Sequence, residues 1–464
     1  MPPRPEVPTS KAAAGLTRAF AGRLVDQRSA EVPAAVRQDA ALHVLDSVAA
    51  MVSASLLPGG QSILGFAGRW LDGQRGPATV VGAPLSGDPV SVARVNGMLA
   101  HADETDDSHQ RSLTHPGCAV TPSALAVAQT VGASGKTLLD AIIAGYEVVA
   151  RVNLSLGPEF QVRTGSRPSS HALGGVFGAA AAASFLWDAD VDQTEEILSY
   201  AAQLASGVNT YLRDKRHVQK AFVFGGMPAS NGVLAAAMVM AGLPGMPGVF
   251  DSEPNFLEVH SQAVEESWLR EAWTAPYAVS ETNIKRYPVG SPAQALVQCA
   301  EALVGRVEPD RIKSLRLFLP ADSAHVVSRR ASPNLDSRYL VAATLVDGRL
   351  TFARAHDPAA ATRAPYSGLA EVTEVVGVEE LRGTRGGGVE VTLDDGTVVV
   401  ESTRVPLGTR GSPLSAELVI EKAKLLLAET LGELNANAVV DALTHLARAR
   451  DLNQVAELLA KQRN

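Results

Sequence analysis

The sequence predicts a mainly α protein, a large all-α helical domain with a smaller α+β domain inserted into it. Three observations carry that prediction. From about Ser10 to about Trp273 apolar residues recur with helical spacing and strand signals are nearly absent. After Trp273 the pattern changes to alternation and turn dipeptides. From Ser415 onward it is helical again. A helical tail after an α+β stretch is what an insertion leaves behind. The expected boundaries are 1–273 for the helical domain, with the first ten or so residues disordered, 274–410 for the α+β domain, and 411–464 for helices that complete the first domain.

The elements follow in order. "MPPRPEVPTSK" is Pro-rich and polar and lacks the apolar stretch of a signal peptide. "PAAVRQDAALHVLDSVAAMVSAS" places Val36, Ala40, His43, Val44 and Met51 near one helical face. "TPSALAVAQTV" and "TLLDAIIAGYEVVARVN" read as helices, the second opened by Thr137. "GGVFGAAAAASFLW" is built of small residues, so its helix lets neighbouring backbones approach and is buried all round. Gly232–Phe250 is about as long as a membrane span, but glycines and prolines break it after Ala241, so it reads as a buried helix and a turn. "IKSLRLFLP" alternates as a strand with Leu315, Leu317 and Leu319 on one face. "GVEVTLDDGTVVVES" is a hairpin around Asp395-Gly396. "LDSRYLVAATLVDG" is helical, "RGTRGGG" is a surface loop, and two helical runs close the chain, "SAELVIEKAKLLLAETLG" and "ANAVVDALTHLARARDLNQVAELLAK".

Composition narrows the function. Apolar residues make up 46% and charged residues 19%, as in globular proteins. With a net charge of −8 and no basic run, nothing offers a stripe for nucleic-acid phosphates. Two cysteines, Cys118 and Cys299, exclude a disulfide framework, a zinc site of four cysteines and an iron–sulfur cluster held by three or four thiolates of one chain. This cysteine use fits a reducing cytoplasm, and a cytoplasmic protein with no nucleic-acid or membrane partner is expected.

The densest chemistry lies in "HADETDDSHQRSLTHPG", where three histidines, three aspartates and a glutamate share seventeen residues. A metal reading takes His101, Asp103, Asp106, His109 and His115 as ligands, although the spacing fits no standard template. A second reading is a polar loop with aspartates as caps. A third is acid–base chemistry, because carboxylates packed against histidines shift one another's pKa values. Three further stretches stand out. "SRPSSHALGGVFG" sets His171 before the small-residue helix. "RDKRHVQKAFVFGGMPASNG" carries Arg213, Lys215, Arg216 and Lys220 into a Gly-Gly turn. "NIKRYPVGSPAQA" carries Lys285 and Arg286. Each also has a bland reading, as a cap, a packed residue or a solvated charge run. None of the Gly-rich turns matches a phosphate loop or a dinucleotide fingerprint.

Taken in order, these stretches resemble the MmgE/PrpD family. "VNGMLAHADETDDSH", "THPGCAVTPSALAVAQ", "AGYEVVARV", "GGVFGAAAAAS", "KAFVFGGMPASNGVLAAAMVMAGLPG", "KRYPVGSPAQA", "LVAATLVDGRLTFA" and "RGSPLSAELVIEKAKLLL" are similar to successive family motifs. The family includes 2-methylcitrate dehydratase, cis-aconitate decarboxylase and iminodisuccinate epimerase. The resemblance implies an α+β lid over a helical domain, a homodimer, a small anionic substrate, and neither a metal nor an organic cofactor.

It implies site residues one by one. Family positions fall on Glu104, Ser108, His115, Lys220 and Lys285, and the lid helix offers Tyr339. Glu104 stands where the family usually has Asp. The family's second histidine position falls on Ser169, with His171 two residues later. The implied activity is that of a lyase or isomerase that moves a proton beside a carboxylate, with dehydration of a 2-methylcitrate-like acid as the leading reading. Decarboxylation and epimerisation share its first events. In this reading His115, His171, Lys220 and Glu104 are catalytic, Lys285, Arg286, Ser108 and Tyr339 bind substrate, and Asp106 and Asp107 brace the loop. A metal-dependent hydrolase on the His101–His115 cluster and a non-catalytic metabolite binder are the competing classes.

Overall fold

The computed structural model describes residues 15–160 and 168–460. The expected disorder of the first ten residues, and Ser166-Arg167 of the His171 motif, lie outside the described residues. Helices dominate. The sheets are a two-stranded pair, Ala78–Thr79 with Ser86–Gly87, and a four-stranded sheet.

Buried apolar side chains form two main clusters. One draws on residues from Leu16 to Val279 and again from Ala423 to Leu459. The second lies wholly between Tyr287 and Leu393. Its sheet runs in the order Thr373–Val378, Ile312–Pro320, Gly387–Leu393, Val398–Thr403. The first pairing is parallel and the other two are antiparallel. Leu315, Leu317 and Leu319 face inward and Arg316 faces water, as alternation requires. The hairpin turns at Asp395-Gly396, where Gly396 has φ +87° and spares a side chain the left-handed strain.

Polar caps open several of the helices. Asp88 accepts from the backbone N–H groups of Val90 and Ser91 to open Pro89–His101. Ser134, rather than Thr137, caps Gly135–Ser155, because its hydroxyl oxygen accepts from Thr137 N–H. All of Ser170–Leu186 is buried. It packs on Gly135–Ser155 so closely that a Cβ on Gly178 would sit 2.7 Å from the Gly145 carbonyl oxygen and collide with Val149. The apolar run after Lys220 is the helix Met227–Met240, followed by a turn. Among the described residues one unbroken helical stretch, Val218–Met240, is long and apolar enough to cross a bilayer, and most of its apolar window is packed inside.

Two further expectations are corrected. The C-terminal run is not one helix. It breaks into Glu433–Thr444, a short 3-10 turn and Asn453–Leu459. "RGTRGGG" is a surface loop only at its start. Gly387 and Gly388 are buried strand residues, and a Cβ on Gly387 would lie 3.1 Å from that of Ala295. Glycine is needed there for close approach, and the strand it opens brings Arg385 to the cleft described next.

Candidate active site

The cluster from His101 to His115 is a loop between two helices, Pro89–His101 and Pro116–Val131. Its shape is held from outside. Asp103 accepts from the Ser53 hydroxyl at 2.6 Å and from Thr105 N–H at 2.9 Å. Asp107 accepts from Tyr146 OH at 2.6 Å and Gly117 N–H at 2.9 Å, with His43 Nδ1 at 2.8 Å. Lys422, from the C-terminal helix Ala416–Leu431, donates to Asp46 at 2.6 Å and to the Thr105 carbonyl at 2.9 Å. These partners turn Glu104 into the left-handed region, φ +64°. For a side chain with a Cβ that conformation is paid for by surrounding contacts.

The working groups converge on one cleft with a cavity volume of about 150 Å³. Glu104, Ser108, His115, His171 and Lys220 line it, together with His217 and Phe224. Glu104 is ion-paired with Lys220 and lies 3.2 Å from His217 Nε2. Lys285 stands behind this wall. It donates to the Glu104 carbonyl at 2.5 Å and lies 3.4 Å from Asp106. Asp106 Oδ2 is 2.8 Å from His101 Nδ1 and 3.1 Å from His115 Nδ1. Phe224 is stacked against both His101 and His171, with ring centroids 4.3 and 4.0 Å apart. It sits in a π-helical turn, Phe222–Gly226, that presses on the helix Pro89–His101. A Cβ on Gly225 would collide with the Gly97 carbonyl. Such turns are frequent at functional sites.

The charge states follow from burial and neighbours. Burial pushes Glu104 up, but Lys220, His217, His101 and Lys285 together outweigh it and the carboxyl is held well below its usual range. Burial likewise opposes ionisation of Asp106, and His101, His115 and Lys285 together hold it well below the ordinary value. Burial lowers Lys285 while Asp106 and Glu104 raise it, and the carboxylates prevail. Burial pushes His115 down to about 4, only partly offset by Asp106, and pushes His217 to about 3 with help from Lys220. At neutral pH the site therefore holds the carboxylates of Glu104 and Asp106, the ammonium of Lys285 and neutral imidazoles at His115 and His217. Asp106 Oδ2, 3.1 Å from His115 Nδ1, favours the tautomer with the proton on that nitrogen, which leaves Nε2 as the basic one.

The structure does not bring every expected residue here. Arg286 is ion-paired with Glu421 at 3.4 Å and does not line the cleft. Tyr339 is buried in the second core and donates its hydroxyl to the Arg354 carbonyl at 2.6 Å. Asp107 braces the loop as expected, but Asp106 faces His115 and Lys285 rather than capping a helix. Two residues were passed over in the sequence. His217 was read as part of a charge run, yet it stands three residues before Lys220, one helical turn away. Phe224 carried no signal beyond its Gly-rich context. The far wall adds His325, Arg330 and Arg385 from the second cluster's part of the chain.

Two overlapping sets could offer donors to a metal, His101–Asp106–His115 and His101–Glu104–His217, with ligand atoms within 4.8 Å of one another. In both, a lysine ammonium already sits against the carboxylate.

Comparison with known proteins gives a consistent picture. The family model for the MmgE/PrpD N-terminal domain matches residues 18–268, and that for the MmgE/PrpD C-terminal domain matches residues 287–446. The chain is 23% identical to a cis-aconitate decarboxylase of Aspergillus terreus over 97% of both chains. It is 25% identical to the cis-aconitate decarboxylase of Homo sapiens over 82% of both.

Proposed function

The chain belongs to the MmgE/PrpD family, and from that premise we propose that it is a lyase that decarboxylates a small unsaturated tricarboxylate of the cis-aconitate type. The observation that carries the reading is the meeting of Lys220, Glu104 and the neutral His115 at one cleft, with Lys285 buried directly behind them. Lys220 binds a substrate carboxylate, and the buried charge of Lys285 lowers the cost of negative charge developing in front of it. Glu104 holds Lys220 in position. A substrate trianion favours the imidazolium form, so its arrival raises the pKa of His115. The carbon–carboxylate bond breaks, carbon dioxide leaves, and the electron pair spreads into the neighbouring unsaturated carboxylate. His115 then gives its proton to carbon, leaving a dicarboxylate. His171, stacked on Phe224, and Ser108 shape the pocket around the reacting carbons. The unit built on residues 274–410 acts as a lid inserted into the helical domain, and the working assembly is a homodimer, which light scattering of the eluted protein tests.

Dehydration of a 2-methylcitrate-like acid is the second reading within the family, since the neutral His115 is equally placed to take a proton. Incubation with cis-aconitate, citrate and 2-methylcitrate separates the two. Carbon dioxide with a methylene-bearing acid supports decarboxylation. An unsaturated acid without carbon dioxide moves the assignment to dehydration. No product from any of them, in well-folded protein that binds them, sinks the enzymatic reading. The metal-hydrolase reading draws on the two donor sets, and stoichiometric metal with chelator-sensitive hydrolysis would favour it.

A further inference from the structure

Beside the cleft lies a second cavity of about 370 Å³ that the proposed chemistry leaves unused. The two share Leu212, Asp214, His217, Arg330 and Leu335, so one opens into the other. One side is the segment 212–217 of the helical part, and the other is the segment 329–335.

Its charge is one-sided. Arg213, Lys215, Arg329 and Arg330 line it, and among the described residues no carboxylate lies within ion-pair distance of any of them. Asp214 is the one acid in the lining, and it is already engaged, accepting from the backbone N–H groups of Arg216, Gln219 and Lys220 at 2.6–3.1 Å. The whole chain carries −8. Four cations gathered on a small concave surface repel one another, and an anion relieves that repulsion. The backbone is unusual on both sides of the cavity. His217 has φ +60° and Arg329 has φ +50°, so each wall holds a residue with a Cβ in the left-handed region.

We propose that this cavity is an oxyanion site, built by Arg213, Lys215, Arg329 and Arg330, that takes a carboxylate or phosphate group at the mouth of the cleft. It does not depend on the reaction proposed above. The anion is either the distal carboxylate of the molecule held in the cleft or a separate small anion.

Calorimetric titration with inorganic pyrophosphate at low salt tests the site. Saturable binding is expected in the wild type and in Lys220→Ala, with affinities within about threefold of each other. In Arg213→Ala/Arg329→Ala it is expected to be weaker by about tenfold or more. Arg213→Lys/Arg329→Lys, with the same melting temperature, should restore most of it. Absent binding at millimolar pyrophosphate, unchanged affinity in the double alanine variant, or loss in Lys220→Ala would each overturn the proposal. Adding the saturated tricarboxylate tricarballylate identifies the source. Competition assigns the site to a substrate carboxylate, and simultaneous binding assigns it to a separate anion. If the chain turns over no tricarboxylate, the proposed reaction falls and this binding stands.

Discussion

Ion pairs in the helical part of this molecule and ion pairs on its sheet look alike on paper and behave differently. In the helical part, Lys422 and Asp46 meet with side chains 5% and 1% exposed. On the sheet, Arg316 meets Glu390 with 46% and 24% exposed. Water screens the second pair, and the entropy of holding two long side chains consumes most of what remains. The first pair has no water to fall back on, so removing one partner strands a charge. The difference explains where chemistry can live. In the buried setting Glu104 and Asp106 are held well below their ordinary pKa values, His115 falls to about 4 and Lys285 is raised.

The largest expected effect breaks the buried set at its working end. Lys220→Ala and His115→Ala should each lower kcat on the true substrate by about 10²–10⁴-fold in protein that still folds, and Lys220→Ala should also lower the melting temperature because it strands the buried Glu104 carboxylate. Full turnover in both variants would show that the cleft is not the site. Next comes the brace. Lys422→Ala leaves Asp46 buried without its partner and should cost about 3–5 kcal/mol in denaturant unfolding. Lys422→Met with Asp46→Leu should recover most of that stability. It should not recover activity, because the donor to the Thr105 carbonyl is still missing.

A pH profile sharpens the contrast further. As proton donor, His115 must be protonated in the complex, and the bound anion lifts its pKa above the free value of about 4. kcat should therefore fall as pH rises through that lifted value, by about tenfold per unit. A profile that falls as pH drops, with no alkaline limb, would make His115 a base and favour dehydration. The smallest effect is expected on the sheet. Arg316→Ala should leave the unfolding midpoint and turnover unchanged, and a clear loss in either would undo the comparison.

Much of this was legible in the chain. Alternation around Leu315, Leu317 and Leu319, the Asp395-Gly396 turn and the small-residue run from Gly174 need only local chemistry, and the structure has them. The loop's residue types offered acid–base work as one of three readings, and the family resemblance singled out Lys220. His217 was not singled out, because a histidine inside a charged run looks solvated until Glu104, more than a hundred residues earlier, is folded against it. Arg286 was expected to bind substrate beside Lys285, and Tyr339 from the lid helix, yet their side chains turn to Glu421 and to the Arg354 carbonyl.

By itself, then, the sequence determined the main helices, three of the four strands of the larger sheet and the family's motifs, since periodicity and turn chemistry act between near neighbours, while the edge strand Thr373–Val378 was not read from it. Tertiary structure alone decided which of the crowded histidines and carboxylates meet a cation. Lys285 reaches the Glu104 carbonyl across 181 positions, and Lys422 reaches that of Thr105 across 317. Burial and distant charge set a pKa, and neither is a property of a residue's neighbours in the chain.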